Sequence, residues 1–298
     1  MKIIIKKILF IGLIITGLYF LIIKKPDILV IFSDHPDIII IATTLSAFNI
    51  VVQAFNFLQL LGHPTPPPLS LTSKTWALSG LTNYLGPFQP GLAVRLIFFK
   101  NYGIVLRQTL GTTFQQLQLS TWAGLWMFII ALLFNKKLPF EIVPILAITA
   151  LAWPRILGFS KRIISTPVVQ QKLSPITISA LLGSLHIPPI KRMWPFVAQY
   201  LFVATSIYIV YRDFGASLSM SGALIIATST TLSTLLALTP SNLGIQELIL
   251  GYSAHLSGLS TNDAINIALL FRLSHITSCL LIYAFIARIP LKTGQNNT

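Results

Sequence analysis

The sequence is poor in acids, in charge of any kind and in cysteine. Only 7 of its 298 residues are Asp or Glu, and charged residues make up 9%. A soluble globular domain carries about a quarter. Together with 54% hydrophobic residues and a mean hydropathy of +0.79, that scarcity excludes a water-soluble fold and leaves a polytopic helical membrane protein. The one cysteine, Cys279, can form no internal disulfide, and in an apolar run it reads as a small core residue. Long polar stretches are also missing. The hydrophilic connections near 62–75 and 159–174 are about fifteen residues each, too short for a folded soluble domain. The chain, 1–298, is therefore read as a single integral membrane domain, with function in the membrane or at its surface.

Catalytic signatures are absent too. There is no Gly-x-Ser-x-Gly elbow, no Walker loop, no His-Glu-x-x-His and no pair of carboxylates beside a basic cleft. With so few acids, most of them in loops, little is left for general acid–base work, and the expectation is a protein that is not an enzyme and uses no cofactor or metal. Asp34, His35 and Asp37 in SDHPD read as a solvated loop rather than a metal site.

What is present is basic charge and apolar length. The 21 Lys and Arg give a net charge of +14. They lie in short loops between apolar runs, as the positive-inside bias requires, so they point to membrane orientation and anionic lipid and not to nucleic acid. Ile8–Ile23, clamped by lysine pairs and followed by KKPD instead of a small-x-small cleavage site, reads as an uncleaved first span. Ile38–Leu61 is a second, with Asn49, Gln53 and Asn56 on one face as interhelical hydrogen-bonding groups. Further spans are expected at Leu110–Phe134, which carries Gln115, Gln116 and Gln118, at Phe140–Phe159, kinked by Pro144 and Pro154, and at Pro195–Tyr211, with Trp194 and Tyr200 as interfacial anchors. Ala216–Thr239 is expected to span as well, whereas Leu173–Ile190 reads as interfacial or re-entrant. Ser260 and Asp263 form a capping-box-like start to a last helix reaching Ile289. The expected fold is an all-α membrane helix bundle of about 7–8 spans, two of its helices broken or re-entrant.

Those two breaks organise the rest. In Leu81–Lys100, LTNYLGPFQPGLAVRLIFFK, a straight helix would hold Pro87 and Pro90 at about 3 kcal/mol each or more. A helix, an unwound turn and a second helix from Gly91 cost less. Backbone freed in this way survives in a bilayer only where protein or a water-filled cavity covers it. Leu238–Leu248, LTPSNLGIQEL, repeats the pattern, with Pro240 and Gly244 at the spacing of Pro87 and Gly91, and then Glu247. Whether the first unit crosses or re-enters is open; Arg95, Lys100 and Arg107 favour a cytoplasmic return. If Leu173–Ile190 does not cross, the two units form a parallel repeat; if it does, an inverted one.

Arg272 and His275, three residues apart in the last helix, share a face, and a central arginine must turn inward to a partner, for which Glu247 is the obvious acid. Two readings stay open. Either Arg95, Arg272 and Glu247 converge on a polar headgroup in a chamber lined by the broken helices, or the acid and Arg272 only hold two helices in register. Arg95, with no evident acid near it in sequence, leans towards anionic lipid or phosphate.

NYLGPFQPG with Arg95, PSNLGIQE with Gly244 and Glu247, and Arg272 together resemble the transmembrane flippase-like region shared by lysylphosphatidylglycerol synthetases and their stand-alone relatives in bacteria and archaea. The likeness runs from about Asn83 to Pro290. It departs where Leu92 stands for an expected Glu after the proline turn, and where Gln115 and Gln116 replace charged residues of the following helix. The resemblance implies a multi-pass protein of the bacterial or archaeal cytoplasmic membrane that binds or translocates a lipid with an anionic or polar headgroup. Its site would comprise Asn83, Pro87, Pro90, Gly91, Arg95, Pro240, Gly244, Glu247 and Arg272. It implies no lipid aminoacylation. A second function in view is a membrane-embedded accessory to lipid-linked glycan or envelope assembly, acting on a partner enzyme.

Overall fold

The computed structural model describes residues 33, 36–85, 90–135, 142–165, 175, 178, 193–233, 242 and 245–287. The first span at Ile8–Ile23, the loop residues Asp34 and His35, nearly all of Leu173–Ile190, and Pro87, Pro240 and Gly244 lie outside them. Every described element is helical, as the composition requires of chain that must satisfy its own backbone in lipid.

In chain order the helices are α1 (Pro36–Leu61), α2 (Leu69–Thr82) with a 3-10 turn at Asn83–Leu85, α3 (Gly91–Asn101), α4 (Leu106–Phe134), α5 (Ile142–Ile164), α6 (Trp194–Asp213), α7 (Met220–Ser233), α8 (Ile245–Leu256) and α9 (Thr261–Ala287). Among the described residues α1, α4, α6 and α9 are long and apolar enough to cross a membrane. At about 1.5 Å per residue they measure roughly 30 to 44 Å, against a hydrocarbon core of about 30 Å. α5 continues unbroken through Pro154, and Pro144 falls in its first turn, where a missing N–H costs nothing.

The polar residues placed in the spans go where the bilayer forces them. Gln116 of α4 donates from Nε2 to the carbonyl oxygen of Gln53 in α1 (2.8 Å), and Gln108 donates to Leu61 O (2.7 Å), so α4 is stitched to α1 at two levels. The Asn49–Gln53–Asn56 stripe thus lies at a helix interface, with Asn56 fully buried. Tyr200 differs from its expected role. Instead of anchoring at the interface it is buried, stacks over Gly124 and donates to Ser120 O (2.8 Å), because a glycine on α4 opens the space its ring fills. Trp194 is exposed, as an interfacial anchor is. Ser260 and Asp263 form the expected cap: the Asp263 N–H donates to Ser260 Oγ (3.1 Å), which donates to Asp263 Oδ2 (2.7 Å).

Direction along the bundle follows from side-chain pairs. Phe55 packs on Trp194 and Phe48 on Phe202, so α6 runs antiparallel to α1. The short helices α2 and α3 do not cross. α2 starts just after the C-terminal end of α1, and α4 begins at that same end, since Gln108 bonds Leu61 O. Between them the chain goes in and comes back. Phe99 of α3 returns to Trp76 of α2 and Phe57 of α1. The unit is a re-entrant hairpin.

A second hairpin enters from the other face. α7 is expected within a full span, Ala216–Thr239, but its 14 described residues reach only about 21 Å. By Asn242 the chain is already back against Ser233, Nδ2 donating to its Oγ (2.6 Å). α8 then retreats to the C-terminal end of α6, where the Tyr211 hydroxyl donates to Leu250 O (2.7 Å). Because α1 and α6 are antiparallel, their C-terminal ends lie on opposite faces, and so do the mouths of the two hairpins. This is the inverted relation, and it follows from the turning back of the chain after α7, counted above as a span, and not from any crossing at Leu173–Ile190.

Candidate functional site

The first break is closed by two small residues. Asn83, at the end of α2, accepts the N–H of Gly91, the first residue of α3, on Oδ1 (2.8 Å). That bond satisfies one of the donors every helix N-terminus leaves over. Gly91 is buried against the end of α2, and a Cβ there would come within 3.0 Å of Ser79 O, Ser79 Oγ and Asn83 Oδ1. Only glycine lets α3 start at this distance. Pro90 precedes it with φ −58°, already helical, so ring and glycine together set the turn. Asn83, Pro90 and Gly91 therefore form the joint of the hairpin.

One turn into α3, the Arg95 guanidinium lies over the indole of Trp76, 4.9 Å from the ring centroid. Its Nε is buried and has no hydrogen-bond partner among the described residues. Phe57, Trp76 and Phe99 pack on one another, and the Trp76 ring face meets the arginine's charge. A quadrupole attracts a cation but does not neutralise it.

The second break delivers Glu247 in the first turn of α8. Its Oε1 accepts from Nε of Arg272 and forms an ion pair with the same guanidinium, joining α8 to the middle of α9. The same guanidinium lies over Tyr84, 5.3 Å from its centroid. Tyr84 belongs to the 3-10 turn of the first break. Arg272 thus touches the tip of one hairpin and the start of the returning arm of the other. Beside it His275 contacts Ser46 Oγ on α1 (3.4 Å) and lies close to Tyr84. Gly80 of α2 admits His275 and Cys279, whose atoms stand 3.3 and 3.0 Å from where a Cβ would be. Cys279 is buried in the core as expected.

The expected set therefore divides. Arg272, Glu247 and the turn after Asn83 meet at one point; Arg95 lies further along the first hairpin, on Trp76; Pro87, Pro240 and Gly244 lie outside the described residues. Three participants escape the sequence reading. Tyr84 and Trp76 look like ordinary apolar filling. Asn242 has φ 58°, a left-handed backbone that asparagine tolerates, and ties the second break as Asn83 ties the first. The shared signal is the asparagine shortly before Leu-Gly in both breaks, NYLG and SNLG.

A family model described as Lysylphosphatidylglycerol synthase TM region matches residues 8–282. The chain belongs to that family. The matched region takes in both hairpins, the Arg272–Glu247 pair and Arg95, and it reaches further towards the N-terminus than the two motifs do. No curated protein matches the chain. As a member of the lysylphosphatidylglycerol synthase TM region family with several apolar helices, this is a multi-pass membrane protein. Gln116 of α4 has a place in the packing that suits an amide. The side chain meets a carbonyl oxygen, to which an amide can donate and an ionised carboxylate cannot.

Proposed function

We propose that this protein binds a membrane lipid by its polar headgroup and carries that headgroup between the two leaflets. One observation carries the reading: two re-entrant hairpins with mouths on opposite faces meet at a single guanidinium, Arg272. A lipid changing leaflet needs a polar route for its headgroup with access from each side in turn, and re-entrant helices facing one another are how irregular backbone is tolerated at that depth. An arginine at mid-helix costs about 2.5 to 3.5 kcal/mol to insert, and here an acid and an aromatic ring are among the groups that offset it. Arg95 adds a second cation, which favours an anionic headgroup.

Two of the described acids suit carriage better than chemistry, since Glu247 is engaged by Arg272 and Asp263 by its helix cap. Lys100 and Arg107 near the mouth of the first hairpin favour a cytoplasmic side for that face by the positive-inside bias, which supports the cytoplasmic membrane of a bacterium or archaeon as the proposed setting. The test is headgroup-quench scrambling in proteoliposomes for wild type, Arg95→Ala and Glu247→Ala. Scrambling in wild type that falls in both variants is expected. Background rates in all three would reject transport and return attention to an accessory role with a partner enzyme of envelope assembly.

A further inference from the structure

Glu247 stands, in this structure, where a ligand's anion would stand. It is the acid on the one arginine that both hairpins reach, and its side chain is 28% exposed against 12% for Arg272, so it is the outer partner of the pair. It also occupies the first turn of α8, where the unpaired N–H groups and the helix dipole hold a carboxylate without any arginine. Glu247 therefore has two seats, one on Arg272 and one on its own helix. Arg272 keeps a second contact of its own, the Tyr84 ring, when the carboxylate leaves.

Resting on the headgroup-carrying reading, we propose that Glu247 is an exchangeable internal counter-anion: a phosphodiester with net negative charge displaces it from Arg272, and the exchange unfastens α8 from α9. The ligand class follows from the fork of donors that Arg272 presents, which matches a phosphate as it matches a carboxylate. Each anion leaves when the other returns, so the site holds no permanently uncompensated arginine and no permanently trapped lipid. The Tyr211–Leu250 bond holds the middle of α8, which makes the movement a swing of the first turn ahead of it.

The experiment measures binding to the purified full chain, in detergent, of short-chain phosphatidylglycerol, short-chain phosphatidylcholine and inorganic phosphate at matched ionic strength. Wild type should bind phosphatidylglycerol. Glu247→Gln, which removes the competitor, should bind it more tightly by at least about tenfold, the lower end of what close charge pairs contribute across interfaces. Phosphatidylcholine affinity should stay unchanged, and Arg272→Gln should abolish the difference between the two lipids. Tightening for inorganic phosphate as well would mark the phosphate group itself as the ligand, and tightening for the lipid alone a site that also needs the acyl chains. Weaker or unchanged phosphatidylglycerol binding in Glu247→Gln overturns the exchange while leaving headgroup carriage standing. No lipid binding by wild type overturns both.

Because Glu247→Gln removes an ion pair, the movement is also read in the native pair. Spin labels at Leu248→Cys, exposed in the first turn of α8, and Leu201→Cys on α6, in a Cys279→Ser background, should show a second distance on adding phosphatidylglycerol and none with phosphatidylcholine. A single unchanged distance with bound phosphatidylglycerol sinks the unfastening.

Discussion

Gly91→Ala is the sharpest single perturbation of the first hairpin. The added methyl would come within 3.0 Å of three oxygens, and 2.6 Å from Asn83 Oδ1. One of the three, Ser79 O, is main chain, so relief requires α3 to move away from α2 or α2 to distort. Overpacking of a closed core costs about 1 to 3 kcal/mol. Moving α3 also lengthens the Gly91 N–H to Asn83 bond, a cap whose loss costs about 0.5 to 2 kcal/mol. The sum is roughly 1.5 to 5 kcal/mol. At about 2 °C or more per kcal/mol, the apparent melting temperature of the detergent-solubilised protein should fall by at least about 3 °C.

Two controls make the prediction specific. Gly251→Ala on α8 places its methyl with nothing nearer than 3.9 Å, and it should leave the melting temperature unchanged or raise it slightly, as helical Gly→Ala changes do. Asn83→Ala removes the cap and one of the three contacts but leaves Ser79 O in place, so the double variant should not recover the loss caused by Gly91→Ala. A Gly91→Ala protein that melts with wild type, or a rescue by Asn83→Ala, would show that the backbones do not approach as closely as described. The joint would then have to be explained by the prolines alone.

Other expectations can be read in the same assay. Gln116→Glu puts a carboxylate against Gln53 O, losing a donated bond and adding repulsion, and should cost about 1 to 3 kcal/mol more than Gln116→Met, which leaves that carbonyl with its bond inside α1 alone. Gly124→Ala drives a methyl to 2.5 Å from the Tyr200 hydroxyl, so it should be strongly destabilising and partly rescued by Tyr200→Phe. Absence of rescue would mean that the ring, at 2.9 Å, is the obstacle. Tyr84→Leu and Glu247→Gln act on one guanidinium from different hairpins, and their double-mutant cycle should show coupling of about 0.5 to 3 kcal/mol. Additivity would mean that the two hairpins do not share Arg272.

The fold class was legible because lipid permits so few solutions: apolar length with little charge leaves helices, and a central arginine needs an acid, of which the second break offers one. The positions of the breaks were legible for a similar reason, since proline and glycine have fixed costs wherever they lie. What sequence could not supply was direction. Ala216–Thr239 is apolar enough to cross, and nothing in its composition says that the chain turns back by Asn242; that is decided by the Asn242–Ser233 bond and by Tyr211 reaching Leu250, both between residues with no periodic signal. Tyr84 and Trp76 were hidden likewise, because an aromatic ring becomes a cation's partner only through where a neighbouring helix puts the cation.

Direction is also what gives the site its meaning. Had both hairpins opened on one face, an arginine at their tips would be a dead end for a headgroup, reachable from one leaflet only. With the mouths on opposite faces, the tips come together from both sides, and one guanidinium suffices to mark the midpoint. The differing treatment of the two arginines fits that geometry. Arg272, at the meeting point, is paired with an acid; Arg95, on the first hairpin's returning arm, rests on an indole, and its Nε has no hydrogen-bond partner among the described residues. On the carriage and exchange proposed above, an anion arriving along the first hairpin would meet Arg95 first and the acid-paired Arg272 second, and the step between them would be governed by how readily Glu247 gives up its place.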